Sequence, residues 1–257
     1  KDMIALVVAQ KYKTLKTQGN HNNEIGMPQT LFGLDSSYEA AVIEMGMSHQ
    51  GEISRMSMSC QPDVAVITNI GISHIENLGT QENILKAKLE ILDGAAYDAP
   101  LILCRDDKLL AGVQLHSDRK VYYYSVSKKD CDVYASGVKT VDNSITFTIN
   151  YEGGKIAAQI NCLGEHNVKN ALAAFCVGLA LDIPPEDIVK GIAQFKPEGL
   201  RQNVTVIDGV TYIVDCYNAA PDSMKASLSV LSQAQAEGKR ICVLGDMLEL
   251  GKNSKTY

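Results

Sequence analysis

The sequence contains no apolar run of the roughly 18 residues that cross a bilayer, and no secretory signal opens it. Its net charge is −6 and it has no basic stripe, which does not favour nucleic-acid binding as a main role. The seven cysteines form no CxxC pair, and Cys104, Cys176 and Cys242 sit inside apolar runs. Such cysteines are typical of reduced, buried thiols rather than of a disulfide framework or a zinc site. We therefore expect a cytoplasmic protein with no membrane span.

The remaining composition indicates an α/β protein. Hydrophobic residues make up 46% of the 257 residues, enough to build a full core in one large domain or two smaller ones. Three apolar runs, at 40–46, 63–68 and 100–104, are separated by helical patterns. Continuous apolar strands between helices predict a mainly parallel central sheet that is flanked by helices. The polar residues 14–23 predict a loop after the opening helix.

The pattern changes at Val121, where short strand-like runs replace the helix-strand alternation. These runs cover 121–126, 131–138, 145–151 and 155–163, and residues 145–151 alternate with period two. Glu152-Gly153-Gly154 predicts a hairpin turn, so we expect a small antiparallel sheet attached to the parallel one. Two helices follow, at 164–181 and after Pro184-Pro185. The residues predicted on the buried face of the first are Val168, Leu172, Phe175 and Leu179.

Residues 196–202 predict a linker between a domain at 1–199 and a second one at 200–257. Beyond the linker, a strand (210–218), a helix from Asp222 to about Glu237 and a second strand (240–246) form one βαβ unit. We interpret this unit as the start of a second, Rossmann-like α/β domain, because it is too small to fold well alone. Met224, Leu228 and Leu231 are predicted to face inward. Both chain ends are expected to be cuts through a larger protein, since nothing caps the opening helix.

Lys88 lies on the wrong face of its predicted helix. A helical wheel of residues 84–93 places Lys86, Glu90 and Asp93 on a solvated face. It places Lys88 among the apolar residues of the other face, which are Ile84, Leu85, Ala87, Leu89, Ile91 and Leu92. A lysine there can extend its ammonium to water, bind phosphate, or carry a modification. Burial would also leave part of it as neutral amine, which can react with carbon dioxide to give a carbamate.

Several predicted strands end in polar residues, and ligands of open α/β sheets gather at the carboxyl ends of the strands. These residues are Glu44, Asn69, Asp215 and Asp246. Glu44 suits a hard cation such as Mg²⁺, or is simply held by backbone N–H groups. His74, which follows Asn69, is a candidate ligand or general base, or a loop histidine that is hydrogen-bonded to backbone.

Three further positions have equally open interpretations. Asn167 either caps the helix that starts near it or reads the edge of a base. Arg201 in the linker contacts phosphate or is solvated, and residues 215–223 carry either binding or turn chemistry. No phosphate loop of the GxxxxGK[ST] type occurs in the chain. The residues alone thus predict an α/β domain with a cation site and an anion site, and no particular reaction.

The sequence motifs themselves closely resemble the Mur ligase family, in family order and over nearly the whole chain. The matching stretches are 17–31 (TQGNHNNEIGMPQTL), 42–53 (VIEMGMSHQGEI), 63–79 (DVAVITNIGISHIENLG), 87–91 (AKLEI), 164–174 (GEHNVKNALAA), 199–202 (GLRQ), 215–224 (DCYNAAPDSM) and 245–251 (GDMLELG). The first and last of them resemble the members that use D-alanyl-D-alanine.

This resemblance implies an ATP-dependent amide ligase that joins D-alanyl-D-alanine to UDP-N-acetylmuramoyl-tripeptide in peptidoglycan synthesis, through an acyl phosphate. It further implies two Mg²⁺ ions, a carbamylated lysine and a monomer. Glu44, His74 and carbamylated Lys88 would hold the metal ions, with His74 and Lys88 also catalytic. The residues implied to bind ATP are Asn69, His166, Asn167, Arg201 and Asp215. Those implied to lie near the phosphates or the substrate are Asn20, Asn22, Asn23 and Asn218.

The chain departs from the family pattern in several places. The family's phosphate loop is expected immediately before Lys1, the domain that binds the UDP-sugar is expected to lie outside this sequence, and Ala220 stands where asparagine is common. We therefore expect little or no ligase activity from this chain alone. Two alternatives stay open: a folylpolyglutamate synthetase-like ligase, against which residues 245–251 and the asparagine-rich loop argue, and a non-catalytic nucleotide-binding module.

Overall fold

A six-stranded mixed sheet forms the centre of the protein in a computed structural model that describes residues 1–115, 118–197 and 199–256. The strand order is β3-β4-β5-β6-β7-β8, with β3 to β6 parallel and β6 to β8 antiparallel. The bounds are β3 Ala65–Ile67, β4 Leu101–Cys104, β5 Val121–Ser125, β6 Val133–Val141, β7 Ser144–Tyr151 and β8 Gly154–Ile160. The predicted α/β class with a mainly parallel sheet is confirmed.

The antiparallel part begins later than predicted. β5, the first run after the change of pattern, pairs in parallel with β4, and Tyr124 lies opposite Cys104. Tyr124 and Ser125 are buried, as expected for a central strand that is covered on both faces. The predicted small antiparallel sheet attached to the parallel one is therefore present, but it begins with the pairing of β6 and β7 and not at Val121. The short apolar run of β5 alone could not indicate the direction of its neighbour.

Two short strands form a second, two-stranded parallel sheet: β1 Thr14–Lys16 and β2 Ala40–Val42. The prediction of a loop over 14–23 is wrong for its first three residues, which pair with β2. The predicted buried strand over 40–46 is limited to 40–42, and its residues are half-buried or exposed. Thr17 N–H donates to the Val42 carbonyl at 3.0 Å and extends the pairing.

Helices cover the central sheet. Their bounds are α1 Asp2–Val8, α2 Gly26–Leu31, α3 Glu52–Cys60, α4 Ile75–Leu78, α5 Gln81–Leu89, α6 Glu165–Ala180 and α7 Pro185–Ala193. The predicted buried face of α6 is confirmed for Val168, Leu172 and Phe175. An added Cβ at Gly191 in α7 would lie 2.8 Å from the Leu6 carbonyl oxygen, so the backbones of α1 and α7 touch. Among the described residues, no helix combines the length and apolar character that a bilayer crossing requires.

The helix of Lys88 is α5, which begins at the capping residue Thr80 and continues as a 3-10 turn, Glu90–Leu92. Its apolar face packs on the core, where Ile84 and Ala87 are buried. The prediction that Glu90 is solvated is wrong. Its carboxylate accepts the Gly51 N–H at 2.8 and 2.9 Å, which holds the start of α3. Another 3-10 turn covers Leu110–Gly112.

The carboxyl-terminal part contains an antiparallel hairpin, β9 Asn203–Ile207 and β10 Val210–Val214, followed by α8 Pro221–Gln233 and the 3-10 turn Gly251–Thr256. The predicted βαβ unit is wrong, because residues 240–246 form no strand. An extended segment becomes a strand only beside another strand that pairs with its backbone, and no described strand lies there. As a result Cys242, which was predicted to be buried, and Asp246, predicted at a strand end, are both exposed.

Two smaller predictions for this part also differ from the structure. In α8 the residue with the least exposure on the inward face is Val230, whereas Leu228 is 40% exposed and Met224 and Leu231 are half-buried. The buried residues of α8 are therefore Pro221 and Val230 rather than the predicted stripe. All seven cysteines are free thiols, of which Cys104 and Cys176 are buried as predicted. Glu198 of the predicted linker lies outside the described residues.

Candidate active site

A cavity of about 170 Å³ lies where β3 ends, at the carboxyl edge of the parallel strands. Three residues predicted for the site line it: Asn69, His74 and Lys88. The other residues that line it are Gly46, Met47, Gly71, Ser73 and Ile84. The strand end and α5 thus bring together side chains that the sequence pattern marked separately.

Lys88 is half-buried in α5, and its surroundings favour the neutral amine. Burial lowers the pKa of its ammonium group, while the negative charges of Asp107 and Glu44 raise that pKa in part. A lysine whose ammonium is simply extended to water would keep its ordinary pKa. The cavity therefore contains a nucleophilic nitrogen that is more readily deprotonated than that of an exposed lysine.

Asp107, which sequence analysis missed, is a fixed carboxylate just beyond the end of β4. Its Oδ2 accepts the Ile70 N–H at 2.7 Å, and its Oδ1 accepts the N–H groups of Leu109 at 2.9 Å and Leu110 at 3.1 Å. These bonds tie the end of β4 to the residue that follows Asn69. The strand-end rule that marked Glu44 and Asn69 also applies to Asp107, so its signal was present in the sequence.

Glu44 lies two residues beyond β2 and is held by its neighbours. Asn22 Nδ2 donates to Oε1 of Glu44 at 2.6 Å, and the Glu44 N–H donates to Oγ1 of the fully buried Thr17 at 2.9 Å. Lys1 Nζ lies 3.7 Å from Oε2 of Glu44. Asn22 is thus placed beside a predicted metal ligand, and Thr17 is a support that sequence analysis did not single out.

His74 has an unusual backbone and an unusual contact. It precedes α4 with a φ of +61°, in the left-handed region that costs energy for a residue with a Cβ. Its Nδ1 lies 2.7 Å from Oε2 of Glu249, although the pair lacks hydrogen-bond geometry and Nδ1 has no hydrogen-bond partner among the described residues. Glu249 was not predicted, because nothing in a sequence links a carboxylate to a distant histidine.

The side chains fit a divalent cation only in part. Within the described residues, no three His, Cys, Asp or Glu side chains come together as a metal cluster. His74 and Lys88 share a cavity, and Glu44 acts on Lys88 by its charge but does not line that cavity. Hard cations prefer several oxygen ligands, so this set fits Mg²⁺ when Lys88 carries an added anionic group.

The asparagine-rich loop places its side chains differently. Asn20 is exposed, and its backbone carbonyl accepts the Asn22 N–H at 2.7 Å. Oδ1 of Asn23 accepts the N–H groups of Ile25 at 3.1 Å and Gly26 at 2.8 Å, which holds the start of α2. Of these three asparagines, Asn22 is the one whose side chain contacts a predicted metal ligand, Glu44, among the described residues.

Apart from Asn69, residues predicted to bind the nucleotide form a second group around the start of α6. Burial lowers the pKa of His166, against the opposing effects of a hydrogen bond with Gln202 and the charge of Asp215. Asn167 is buried, and its Nδ2 donates to the Leu163 carbonyl at 2.8 Å while its Oδ1 accepts from Asn170 at 3.3 Å. Its amide is thus engaged by Leu163 just before α6 and by Asn170 within it, and neither His166 nor Asn167 lines the cavity of Lys88.

The carboxyl-terminal part contains three more predicted residues, of which Asp215 acts on His166 by its charge. Arg201 stacks over Tyr217, with its guanidinium carbon 4.0 Å from the ring centre. Asp215 accepts a hydrogen bond from Ser227 in α8. Asn218 is exposed, and its Oδ1 accepts the Ala219 N–H at 2.8 Å.

The carboxyl-terminal part also reaches the cavity. A Cβ added to Gly71 would lie 3.5 Å from Oδ2 of Asp222, at the start of α8. Together with the contact between His74 and Glu249, this gives two points at which residues beyond 200 approach the cavity.

A larger, more open concavity of about 850 Å³ lies on the sheet and contains none of the predicted residues. It is lined by Arg105, Tyr123, Asp130, Tyr134 and Lys155 among others. Size alone would favour it as a binding site. The smaller cavity is the better candidate, because it combines a strand-end position with a lysine of lowered pKa.

Comparison with known families decides the classification. The Mur ligase middle domain matches residues 1–178, and the Mur ligase, glutamate ligase domain matches residues 200–257. The chain belongs to the Mur ligase family. The second match begins at residue 200, inside the predicted linker at 196–202.

Relatives of this Mur ligase chain carry a specific name. It is 42% identical over 258 residues to the UDP-N-acetylmuramoyl-tripeptide–D-alanyl-D-alanine ligase of Bacillus subtilis, covering 100% of this chain and 55% of that protein. The chain thus spans about half the length of the curated relatives it matches.

Solved structures agree with the fold. MurF from Acinetobacter baumannii superposes with a TM-score of 0.93 at 34% identity, over 100% of this chain and 56% of that one. A MurF ligase from Thermotoga maritima, in complex with ADP, superposes with a TM-score of 0.87 at 26% identity, over 100% and 58%.

Proposed function

We propose that this chain acts in an ATP-dependent amide ligase of peptidoglycan precursor synthesis, which joins D-alanyl-D-alanine to UDP-N-acetylmuramoyl-tripeptide. The observation that carries the proposal is the strand-end cavity in which a lysine of lowered pKa, Lys88, lies beside His74. The names of the relatives supply the substrates, and the ADP complex of one of them supports ATP as the co-substrate. In this proposal residues 1–199 form the central ATP-binding domain, and residues 200–257 begin the carboxyl-terminal domain of a cytoplasmic monomer.

The proposed reaction has two steps. A terminal carboxylate oxygen of the tripeptide attacks the γ-phosphorus of ATP, and the bond to the β-phosphate oxygen breaks to release ADP. The amine of D-alanyl-D-alanine then attacks the acyl carbon, loses a proton to solvent, and phosphate leaves with the former carboxylate oxygen. Catalysis of this kind depends mainly on holding the reactants in line and on neutralising charge.

The chain's own residues would divide this work. Glu44, held by Asn22 and Thr17, would bind one Mg²⁺, and His74 with carbamylated Lys88 would bind a second. These ions, when bound, neutralise charge on the phosphates. His166, Asn167, Arg201 and Asp215 would hold the nucleotide with Asn69, and Asn20, Asn22, Asn23 and Asn218 would lie near the phosphates or the substrate.

Carbamylation of Lys88 follows from its environment. The neutral Nζ would attack the carbon of carbon dioxide, a nitrogen–carbon bond would form, and a proton would pass to water. The product is a carboxylate-like anion, and no carboxylate is among the described residues that line the cavity. Because burial lowers the pKa of this lysine, more of it is available for the attack at neutral pH than for an exposed lysine.

A chimera tests the proposal. This chain would replace the matching residues of the Bacillus subtilis relative. ADP release would be measured with the UDP-N-acetylmuramoyl-tripeptide and D-alanyl-D-alanine together, with either one alone, and with neither. We expect release that requires both, and none from a chimera with Lys88→Ala. A folded chimera that instead turns over ATP with a folate and glutamate would establish the folylpolyglutamate-type alternative. Binding of ADP without turnover would establish the non-catalytic one.

A further inference from the structure

Residues 249–251, the end of the GDMLELG stretch, lie against the turn at 74–76 on one side of the cavity. The Glu76 N–H donates to the Glu249 carbonyl at 3.4 Å, and Leu250 is buried with 4% of its surface exposed. Gly251 has a φ of +59°, and a Cβ there would lie 3.4 Å from Cα of Glu76. Backbone and side-chain contacts therefore seat this segment beside His74.

His74 and Glu249, which lie in contact here, are both in the left-handed backbone region. His74 and Glu249 each have a φ of +61°. Residues with a Cβ hold this conformation only where the surroundings enforce it, and such residues cluster at functional sites. The side chains of His74 and Glu249 are 32% and 53% exposed, so their charge contact contributes little to stability. The charge contact therefore does not account for this arrangement by stabilising the fold.

The arrangement does account for the orientation of the imidazole. Oε2 of Glu249 lies 2.7 Å from Nδ1 of His74, and Nδ1 has no hydrogen-bond partner among the described residues. A small rotation of either side chain would complete a hydrogen bond from Nδ1 to the carboxylate. A neutral imidazole whose Nδ1 carries the proton presents a lone pair at Nε2. His74 lines the cavity shared with Lys88, so Nε2 is the nitrogen left to act there.

We propose that Glu249 is a positioning residue, which fixes the His74 imidazole with its Nδ1 proton toward the carboxyl-terminal segment and its Nε2 lone pair toward the cavity. Carboxylates that accept from the second nitrogen of a histidine are the usual means of orienting a metal-binding imidazole. The consequence for metal binding rests on the proposed function. The consequence for the tautomer does not rest on the proposed function. In this arrangement, residues beyond 200 complete a site that belongs mainly to the preceding domain.

The tautomer can be observed directly. The chain would be labelled with 15N-histidine, and two-bond nitrogen–proton spectra would be recorded without metal or substrate near pH 8.5, roughly two units above the usual imidazole pKa. A His74→Gln variant assigns the signal. We expect the Nδ1–H tautomer in the wild type, a shift toward Nε2–H in Glu249→Ala, and an intermediate result in Glu249→Gln, whose amide oxygen still accepts. An Nε2–H tautomer in the wild type, or no change in Glu249→Ala, would overturn the proposal.

Metal binding provides the second measurement, with Mn²⁺ alone as the probe and bound metal read by electron paramagnetic resonance. We expect Glu249→Ala to weaken binding by about tenfold, the lower end of the effect of such outer residues. Glu237→Ala, which removes the same charge from an exposed site in the same part of the chain, should leave binding unchanged. Equal weakening in both variants would contradict a positioning role. If Glu249→Ala does not unfold cooperatively, the comparison of metal binding is made with Glu249→Gln instead. An inactive ligase with the expected tautomer shift would refute the proposed function and leave this inference standing.

Discussion

Thr17→Val is the substitution that tests how the site is built from its supports. Thr17 is fully buried, and its Oγ1 accepts the Glu44 N–H at 2.9 Å. Valine has nearly the same shape but no acceptor, so the Glu44 N–H would lose its partner. Because Thr17 is fully buried, water would not replace the lost acceptor. An unsatisfied group of this kind costs about 1–3 kcal/mol. The substitution should also release the backbone that carries a proposed metal ligand.

Thr17→Ser is the matched control, since it keeps the acceptor and removes only the methyl group. Removing one buried methyl costs about 1 kcal/mol. For a protein of this size, each kcal/mol lowers the melting temperature by roughly 2–4 °C. We therefore expect Thr17→Val to melt below Thr17→Ser, and the serine variant to melt slightly below the wild type.

The measurement is a pair of calorimetric melts, together with Mn²⁺ binding at Glu44. Only the valine variant should bind the metal more weakly, because only it loses the hydrogen bond at the Glu44 backbone. A valine variant that melts at or above the serine variant would show that the hydroxyl contributes nothing. The reasoning about Glu44 would then be refuted.

Three further predictions concern stability and pH. A Cβ added at Gly94 would overlap the backbone of Ser57, so Gly94→Ala should destabilise by several kcal/mol in a denaturant titration, whereas Gly112→Ala, with open space around it, should change little. Because the fold lowers the pKa of Lys88, the wild type gains stability as pH rises toward about 10.5. Lys88→Met should therefore raise the melting temperature at pH 7 by more than at pH 10. The fold lowers the pKa of His166, so as pH falls the histidine is protonated in the unfolded chain before it is protonated in the folded one. Stability should therefore fall as pH drops below about 6.5, and it should fall less steeply in His166→Asn.

The local features of the fold were predictable, because they depend on spacing along one element. The helical wheel placed Lys88 among apolar side chains, and in the structure it is half-buried with a lowered pKa. The strand-end rule marked Asn69, which lines the cavity. The same rule applied to the end of β4 would have marked Asp107.

Features that depend on distant partners were not predictable. The predicted strand at 240–246 has the composition of a strand, but no neighbouring strand pairs with it among the described residues. In the sequence, Thr17 is an ordinary loop threonine and Glu249 an ordinary polar residue. Their importance arises from the contact of Thr17 with Glu44 and of Glu249 with His74. Only the folded chain brings these pairs together.

The fate of one oxygen atom tests the proposed ligase mechanism most directly. The chimera with the Bacillus subtilis relative would receive tripeptide whose terminal carboxylate is labelled with 18O, together with ATP and D-alanyl-D-alanine, and the released phosphate would be analysed by mass spectrometry. An acyl phosphate transfers one carboxylate oxygen to the phosphorus, so the account predicts one 18O atom in each phosphate formed with amide. Unlabelled phosphate, or label found in AMP, would contradict it.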